Sequence, residues 1–121
     1  MPKPKPKYFY RVADVPPIQM TNEFAARFIA GQNILCNFTE QKAGATGALH
    51  KHPAEQIFIL LEGSEEHICG GEKFLMKPGD VCVHPPNVEH GGHTSTGNKG
   101  VDIFSPPRED FLELMKKHGL I

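Results

Sequence analysis

Residues 47–63 read GALHKHPAEQIFILLEG, a stretch that joins two histidines to a long apolar run. On a β-strand, His50 and His52 point to the same face about 6.5 Å apart, so both imidazoles can bind one metal ion at about 2.1 Å. Gln56 has the same parity, which turns its amide inward and Glu55 outward unless the intervening proline introduces a bulge. Glu55 is therefore the second choice as a ligand.

Short apolar stretches recur roughly every eight to twelve residues from Phe24 to Phe104, a spacing typical of an all-β sandwich or barrel. They are rich in β-branched and aromatic residues, which strands favour. Gly70 and Gly71 can form a two-residue hairpin turn, and KPGD fits a type II turn. We predict strands at NILCNFT, QIFILLEG, EEHIC, EKFLM, DVCVH and GVDIF.

One helix is predicted at the end of the chain, after the sequence SPP at 105–107. Acidic residues stand in its first turn and basic residues precede Gly119, an order that complements the helix dipole. Phe111, Leu114 and Met115 form an apolar stripe that can pack on the barrel.

The length of 121 residues suits one domain, which we place at residues 11–121. Residues 1–10 begin with MPKPKPK, in which lysine alternates with proline, and we predict that they form a flexible basic arm. Thirteen basic and fourteen acidic residues leave a net charge of −1, which argues against nucleic acid or an anionic membrane as a partner.

Three cysteines without CxxC spacing, Cys36, Cys69 and Cys82, are expected to be buried thiols. The sequence has no secretory segment, no run of about eighteen apolar residues and no disulfide framework. We therefore expect a cytoplasmic protein.

A third histidine strengthens the case for a metal site, because an isolated H-x-H pair is more often an exposed strand edge. His90 follows a proline-rich bend in PPNVEHGGH and stands at the start of a predicted strand. The bend at Pro85–Pro86 breaks the parity between His84 and His90, so His84 lies outside the predicted ligand set. The other histidines, His67, His93 and His118, are expected to be ordinary structural residues.

The pair GALHKHPAEQIFILLEG and KPGDVCVHPPNVEHGG resembles the two motifs of the cupins, small double-stranded β-helix proteins, over roughly residues 28–115. The resemblance implies a jelly-roll barrel with a divalent metal bound by His50, His52, Gln56 and His90. Glutamine replaces the usual glutamate here, and His84 stands where similar sequences carry an aliphatic residue.

The amide of Gln56 leaves a bound ion its full double charge, whereas a carboxylate would cancel one unit. At about 4 Å and an effective dielectric near 20, one such charge is on the order of 4 kcal/mol before desolvation. We therefore expect a small anionic substrate and Lewis-acid chemistry. Three imidazoles and an amide suit nickel, zinc, cobalt, iron and manganese, so the metal identity stays open.

The stretch VDIFSPPREDF, residues 101–111, supplies further candidates for the site. Asp102 and Phe104 share one strand face, and Arg108 follows near the helix start, where a cation opposes the dipole. Two interpretations remain open. Arg108 lies on a solvated surface, or its guanidinium reaches a carboxylate from Asp102 or from a ligand.

FSPPRED, following HxHPxEQ, looks most like the pectin-degradation cupins, which convert 4,5-unsaturated monouronates into linear 4-deoxy-5-keto-uronates. This resemblance implies an enzyme in which Asp102 is the acid/base, Phe104 a platform for the sugar and Arg108 a clamp for the carboxylate. The alternatives are a cupin dioxygenase, a metal-free sugar-sensing module or other small-ligand-binding cupin, and a structural oligomer.

The strand QIFILLEG is apolar on both faces, because Ile57, Ile59 and Leu61 alternate with Phe58 and Leu60. The barrel interior can cover only one of these faces. We therefore expect a homodimer in which a twofold partner covers the other.

Overall fold

Two antiparallel sheets face each other in the computed structural model, which describes residues 7–121. The elements are a 3-10 turn (Val12–Asp14), β1 (Ile18–Thr21), β2 (Phe24–Ala30), β3 (Leu35–Gln41), β4 (Thr46–His50), β5 (Glu55–Gly63), β6 (Glu65–Cys69), β7 (Glu72–Met76), β8 (Val81–His84), β9 (His90–His93), β10 (Asn98–Ser105) and helix α1 (Glu109–Lys117). One sheet has the order β1-β2-β3-β10-β5-β8 and the other β4-β9-β6-β7. This arrangement confirms the predicted all-β jelly-roll barrel with a short C-terminal helix.

All six predicted strands are present, as β3, β5, β6, β7, β8 and β10. The hairpin of β6 and β7 has Cys69 opposite Glu72 around the two glycines. In the predicted type II turn, Gly79 has a φ of 94° and the Asp80 N–H donates to the Lys77 carbonyl at 2.9 Å. Strands β1 and β2 lie outside the predicted stretches, and β4 and β9 were expected only around their histidines, because TGALH and HGGH have few β-forming residues.

The hydrophobic core consists of two separate clusters of buried residues. Phe28, Leu35, Phe104 and Met115 belong to the cluster that helix α1 covers. Phe111 and Leu114 pack against this cluster, which confirms the predicted apolar stripe of the helix. The second cluster contains Phe58, Leu60, Met76 and Cys82, deeper between the sheets.

The outer face of the six-stranded sheet carries two apolar rows, and the N-terminal segment approaches the β2 end of this face, where Arg27 Nε donates to the Val15 carbonyl oxygen. Cross-strand pairing aligns the two rows in register. The first row contains Val83, Ile57, Ile103, Cys36 and Ile29, and the second Val81, Ile59, Val101 and Phe38. Val81 and Val83 are more than half exposed.

The three cysteines are free, but only Cys82 is buried; Cys36 and Cys69 are partly buried, so the expectation of three buried thiols is wrong for two. Cys36 lies on β3 and Cys69 on β6, and solvent reaches part of each residue. Within residues 7–121, no helix is long and apolar enough to cross a membrane. The first six residues of the predicted arm lie outside the described chain, and the single domain at 11–121 stays a prediction.

Gly63 and Gly71 offer a matched test of packing at the β-turns, since both have a φ of 81°. A Cβ at Gly63 would collide with the Gly97 carbonyl oxygen, whereas a Cβ at Gly71 would meet nothing within 4 Å. We expect Gly71→Ala to cost about 1–2 kcal/mol for the left-handed backbone alone. Gly63→Ala should cost about 1–3 kcal/mol more, because the added methyl group would overpack the turn. Urea denaturation measures both, and equal losses would contradict this account.

Candidate functional site

A cavity of about 450 Å³ lies inside the barrel and is lined by polar side chains from both sheets. The four-stranded sheet contributes His50 and His90, and the six-stranded sheet contributes Gln56 and Asp102. Arg108 reaches the same cavity from the start of helix α1. The structure therefore brings these predicted site residues together around one space.

Three histidines, His50, His52 and His90, converge with their ligand-type atoms all within 4.8 Å of one another, and His50 and His90 line this cavity. His50 and His90 are directly opposite each other on β4 and β9. His52 lies in the segment that crosses from β4 to β5, and thus from one sheet to the other. The expectation that His50 and His52 share one strand face is wrong, because β4 ends at His50 and the crossing segment carries His52 inward.

Each of these histidines is oriented by a backbone carbonyl that accepts a hydrogen bond from its Nδ1. The acceptors and distances are Ala48 for His50 (2.8 Å), Ala54 for His52 (2.8 Å) and Val88 for His90 (2.9 Å). A ring that donates through Nδ1 keeps a lone pair on Nε2, the arrangement found in metal-bound histidines. The buried Nε2 of His90 has no hydrogen-bond partner.

Gln56 supplies a fourth candidate ligand atom and a test of whether a cation fits. Its Nε2 donates to Asp102 Oδ1 at 2.7 Å, which leaves its Oε1 3.0 Å from the Nε2 of His52. Both of these atoms are then acceptors, and two facing lone pairs repel unless a cation lies between them. Desolvation lowers the pKa of His52, which disfavours an imidazolium as that cation. A metal ion fits this donor set.

Burial controls the charges in the cavity. It lowers the pKa of His90 to about 4, so the ring is neutral at neutral pH and free to act as a ligand. Burial likewise raises the pKa of Asp102 to about 7, although the hydrogen bond from Gln56 acts in the opposite direction. Glu55 is exposed and Gln56 buried, which confirms the predicted outward and inward orientations.

Arg108 is the N-cap residue of helix α1, and its guanidinium is bound by a carboxylate that was not expected. Its Nε and terminal nitrogen donate to the two oxygens of Asp110 at 3.1 and 2.7 Å. The guanidinium lies 4.0 Å from the ring centre of Phe111 and 5.4 Å from that of Phe104. The interpretation of a solvated Arg108 is wrong, and the intramolecular carboxylate is Asp110 rather than Asp102.

Phe104 is buried at the end of the cavity, beside the histidines. It is directly opposite Gln56 on the neighbouring strand. Its ring centre lies 5.7 Å from that of His52 and 5.4 Å from that of Phe111. Phe104 belongs to the apolar cluster under helix α1 and also lines the polar cavity, so it lies where the two meet.

Three further polar residues line the cavity, and the sequence interpretation did not assign them to it. His84 is 1% exposed and stacks on His90, and its Nε2 lies 2.7 Å from the Nε2 of His67. The Nδ1 of His67 bonds to Glu65. His67 lies on the predicted hairpin strand, and its ring faces the cavity. The alternation of Glu65 and His67 in EEHIC is the signal that shows both facing inward.

The remaining histidines are placed as expected. His93 faces away from His90 and its Nδ1 bonds to the Thr46 hydroxyl at 2.8 Å. His118 is the exposed C-cap residue of helix α1.

The chain is similar in sequence to a family profile and to a curated relative. Residues 37–105 match the sequence profile described as "Cupin domain". Over 71 residues the chain is 41% identical to the pectin degradation protein KdgF of Dickeya dadantii (strain 3937). The match covers 57% of this chain and 64% of that relative, slightly less than two thirds of its length.

Two solved structures are similar over most of the chain. An RmlC-like cupin from Shewanella frigidimarina NCIMB 400 has a TM-score of 0.84 at 25% identity, covering 88% of this chain and 96% of its own. KdgF from Halomonas sp. has a TM-score of 0.83 at 25% identity, covering 88% of this chain and 99% of its own. These similarities confirm the resemblance to pectin-degradation cupins that the sequence motifs indicate.

Proposed function

This chain belongs to the cupin family, and from that premise we propose that it is a metal-dependent enzyme that opens 4,5-unsaturated uronates to linear keto forms without oxidation. The observation that carries the proposal is the pair of facing acceptors, Gln56 Oε1 and His52 Nε2, beside Asp102 and within reach of an arginine. The resemblance to two KdgF proteins supports the choice of substrate class.

His50, His52, Gln56 and His90 are the residues that would hold one divalent transition metal, with Ni, Zn, Co, Fe or Mn all compatible with the donor set. A bound metal supplies Lewis-acid polarisation of a substrate oxygen. Because Gln56 is neutral, this donor set carries no negative charge of its own. An anionic substrate is therefore attracted to the cavity.

Arg108 is suited to binding the substrate carboxylate. A guanidinium has five N–H donors, and the contact with Asp110 uses two of them. The same contact and the ring of Phe111 hold the guanidinium plane in one orientation. Phe104 offers an apolar surface for the sugar ring beside it.

Asp102 is suited to moving the proton. The Gln56 amide holds its Oδ1 at 2.7 Å, which fixes the carboxyl group and leaves Oδ2 free to face a substrate in the cavity. Opening of the ring to the keto form requires a proton to reach carbon as the enol converts to the ketone. In this proposal Asp102 delivers that proton, and no oxidant takes part.

Metal content is the first test. The purified protein should contain about one divalent ion per chain, and His50→Ala or His90→Ala should lose it, because each removes one of a few ligands. His93→Ala is the matched control, since His93 lies on the same strand as His90 but outside the cavity. Elemental analysis measures the content. A metal-free wild type, or full retention in His90→Ala, would reject the site.

Activity is tested by supplying a 4,5-unsaturated galacturonate or glucuronate monomer without oxygen and following the loss of ultraviolet absorbance. Asp102→Ala should slow the wild-type rate by about 10²–10⁴-fold, as loss of an acid/base does. Arg108→Ala should mainly raise KM, and Gln56→Ala should impair metal retention and rate together.

His93→Ala should react like the wild type in the same assay. Wild-type decay no faster than the spontaneous reaction would reject the uronate assignment. Oxygen uptake with an aromatic or diketone substrate would instead favour a cupin dioxygenase, an alternative that the neutral Gln56 and the exposed Glu55 make less suitable, because neither places a basic carboxylate inside.

We propose a homodimer, which the two apolar rows on the outer face of the six-stranded sheet support. A second copy can cover both rows by packing sheet against sheet about a twofold axis. Charged residues border the second row, where Lys99 lies 3.6 Å from both Glu40 and Glu62, and such a polar rim is typical of protein interfaces. A cytoplasmic location stays a prediction.

Light scattering at micromolar concentration should give twice the chain mass of 13.4 kDa. Val83→Glu should shift the protein toward the monomer, because it buries an unpaired charge in the interface. Leu75→Glu is the control, since Leu75 is similarly exposed (57% against 52%) but lies on the other sheet. A monomeric wild type, or equal effects of both variants, would contradict this interface.

A further inference from the structure

We infer that Glu65, His67 and His84 form a buried positioning chain that orients His90 and places a carboxylate charge behind the metal centre. This inference rests on the metal site of the proposed function. It concerns residues outside the proposed ligand set, and it assigns them a role in metal affinity rather than in contact with the substrate.

For a neutral His67 ring, the hydrogen bonds give this chain a direction. The Glu65 carboxylate can only accept, so His67 donates to it through Nδ1. In a neutral ring the Nε2 of His67 then accepts, and the Nε2 of His84 donates to it at 2.7 Å. Glu65 thereby sets the tautomer and the orientation of both imidazoles.

Ring stacking extends the chain to His90. The rings of His67 and His84 are almost parallel, with an interplanar angle of 9° and centroids 4.9 Å apart. The rings of His84 and His90 are 4.0 Å apart at 19°. His84 therefore supports one face of His90, while the Val88 carbonyl holds its Nδ1. A rotation of His84 would remove that support.

The burial of Glu65 indicates a function beyond stability. Glu65 is 4% exposed, and its hydrogen bonds come from His67 and, at 3.3 Å, from Asn98. Replacing buried ionic groups with apolar residues is often neutral or stabilising, so a stable fold alone does not require this carboxylate. A carboxylate linked through His67 and His84 to the ring of His90 has a use there, because it offsets part of the charge of a dication whose proposed ligands are all neutral.

The backbone of β9 is shaped to accommodate the chain. A Cβ at Gly92 would lie 2.8 Å from Glu65 Oε2 and 3.1 Å from His67 Nδ1. Gly92 is two residues after His90 on the same strand. A side chain there would displace the Glu65–His67 pair, whereas a Cβ on the opposing Gly47 would come no closer than 3.8 Å to backbone atoms.

The test compares metal affinity by chelator competition in the wild type and in Glu65→Gln, which keeps the shape and removes the charge. We expect binding to weaken about 10-fold or more, as loss of residues behind metal ligands does. His84→Leu and Gly92→Ala should weaken it similarly, and Gly47→Ala and His93→Ala should leave it unchanged. Gly92→Ala displaces the Glu65–His67 pair sterically, whereas Glu65→Gln removes its negative charge. The test therefore does not depend on the folding of a single variant.

A spectroscopic measurement separates positioning from general stability. With saturating Co²⁺, the visible ligand-field spectrum should change in His84→Leu and Gly92→Ala, because these two substitutions disturb the side chains that orient the His90 ligand. Wild-type affinity and spectra in both variants would overturn this inference while leaving the proposed function in place. A wild type that binds no metal would overturn both, and weaker affinity with an unchanged spectrum would reject positioning through His90.

Discussion

The orientation of the Gln56 amide is the constraint on which the interior of this barrel depends. Its N–H group donates to Asp102, so its carbonyl oxygen faces His52. That single choice links the acid/base candidate to the candidate metal site. It also leaves two facing acceptors that a cation would satisfy, because a neutral His52 donates its one ring proton to Ala54. An isosteric carboxylate would accept at both ends and could not donate to Asp102.

Both sheets contribute acidic side chains to the cavity. The six-stranded sheet carries the proton-transfer candidate Asp102, and the four-stranded sheet carries Glu65. Arg108 is held by Asp110 and by two aromatic rings, so its direction is fixed before a ligand arrives. Preorganised groups of this kind lower the cost of binding a charged ligand.

The outer face of the six-stranded sheet carries two apolar rows, whereas many polar side chains line the cavity inside. On β5 the inward residues are Gln56, Phe58 and Leu60, and the residues between them form part of the two apolar rows. The same strand therefore contributes to the cavity with one face and to a proposed dimer interface with the other. A substitution on β5 that alters the strand position would affect both.

The sequence by itself determined the all-β class, the six predicted strands, the C-terminal helix and the inward direction of Gln56, because these follow from local periodicity and turn chemistry. Only the tertiary structure decided how His52 joins His50, since the chain changes sheets between His50 and Glu55. It also decided that Arg108 pairs with Asp110, and that Glu65, His67 and His84 meet His90. Strand parity says which face a side chain takes but not which side chains of the opposite sheet it meets, because that depends on how the two sheets pack.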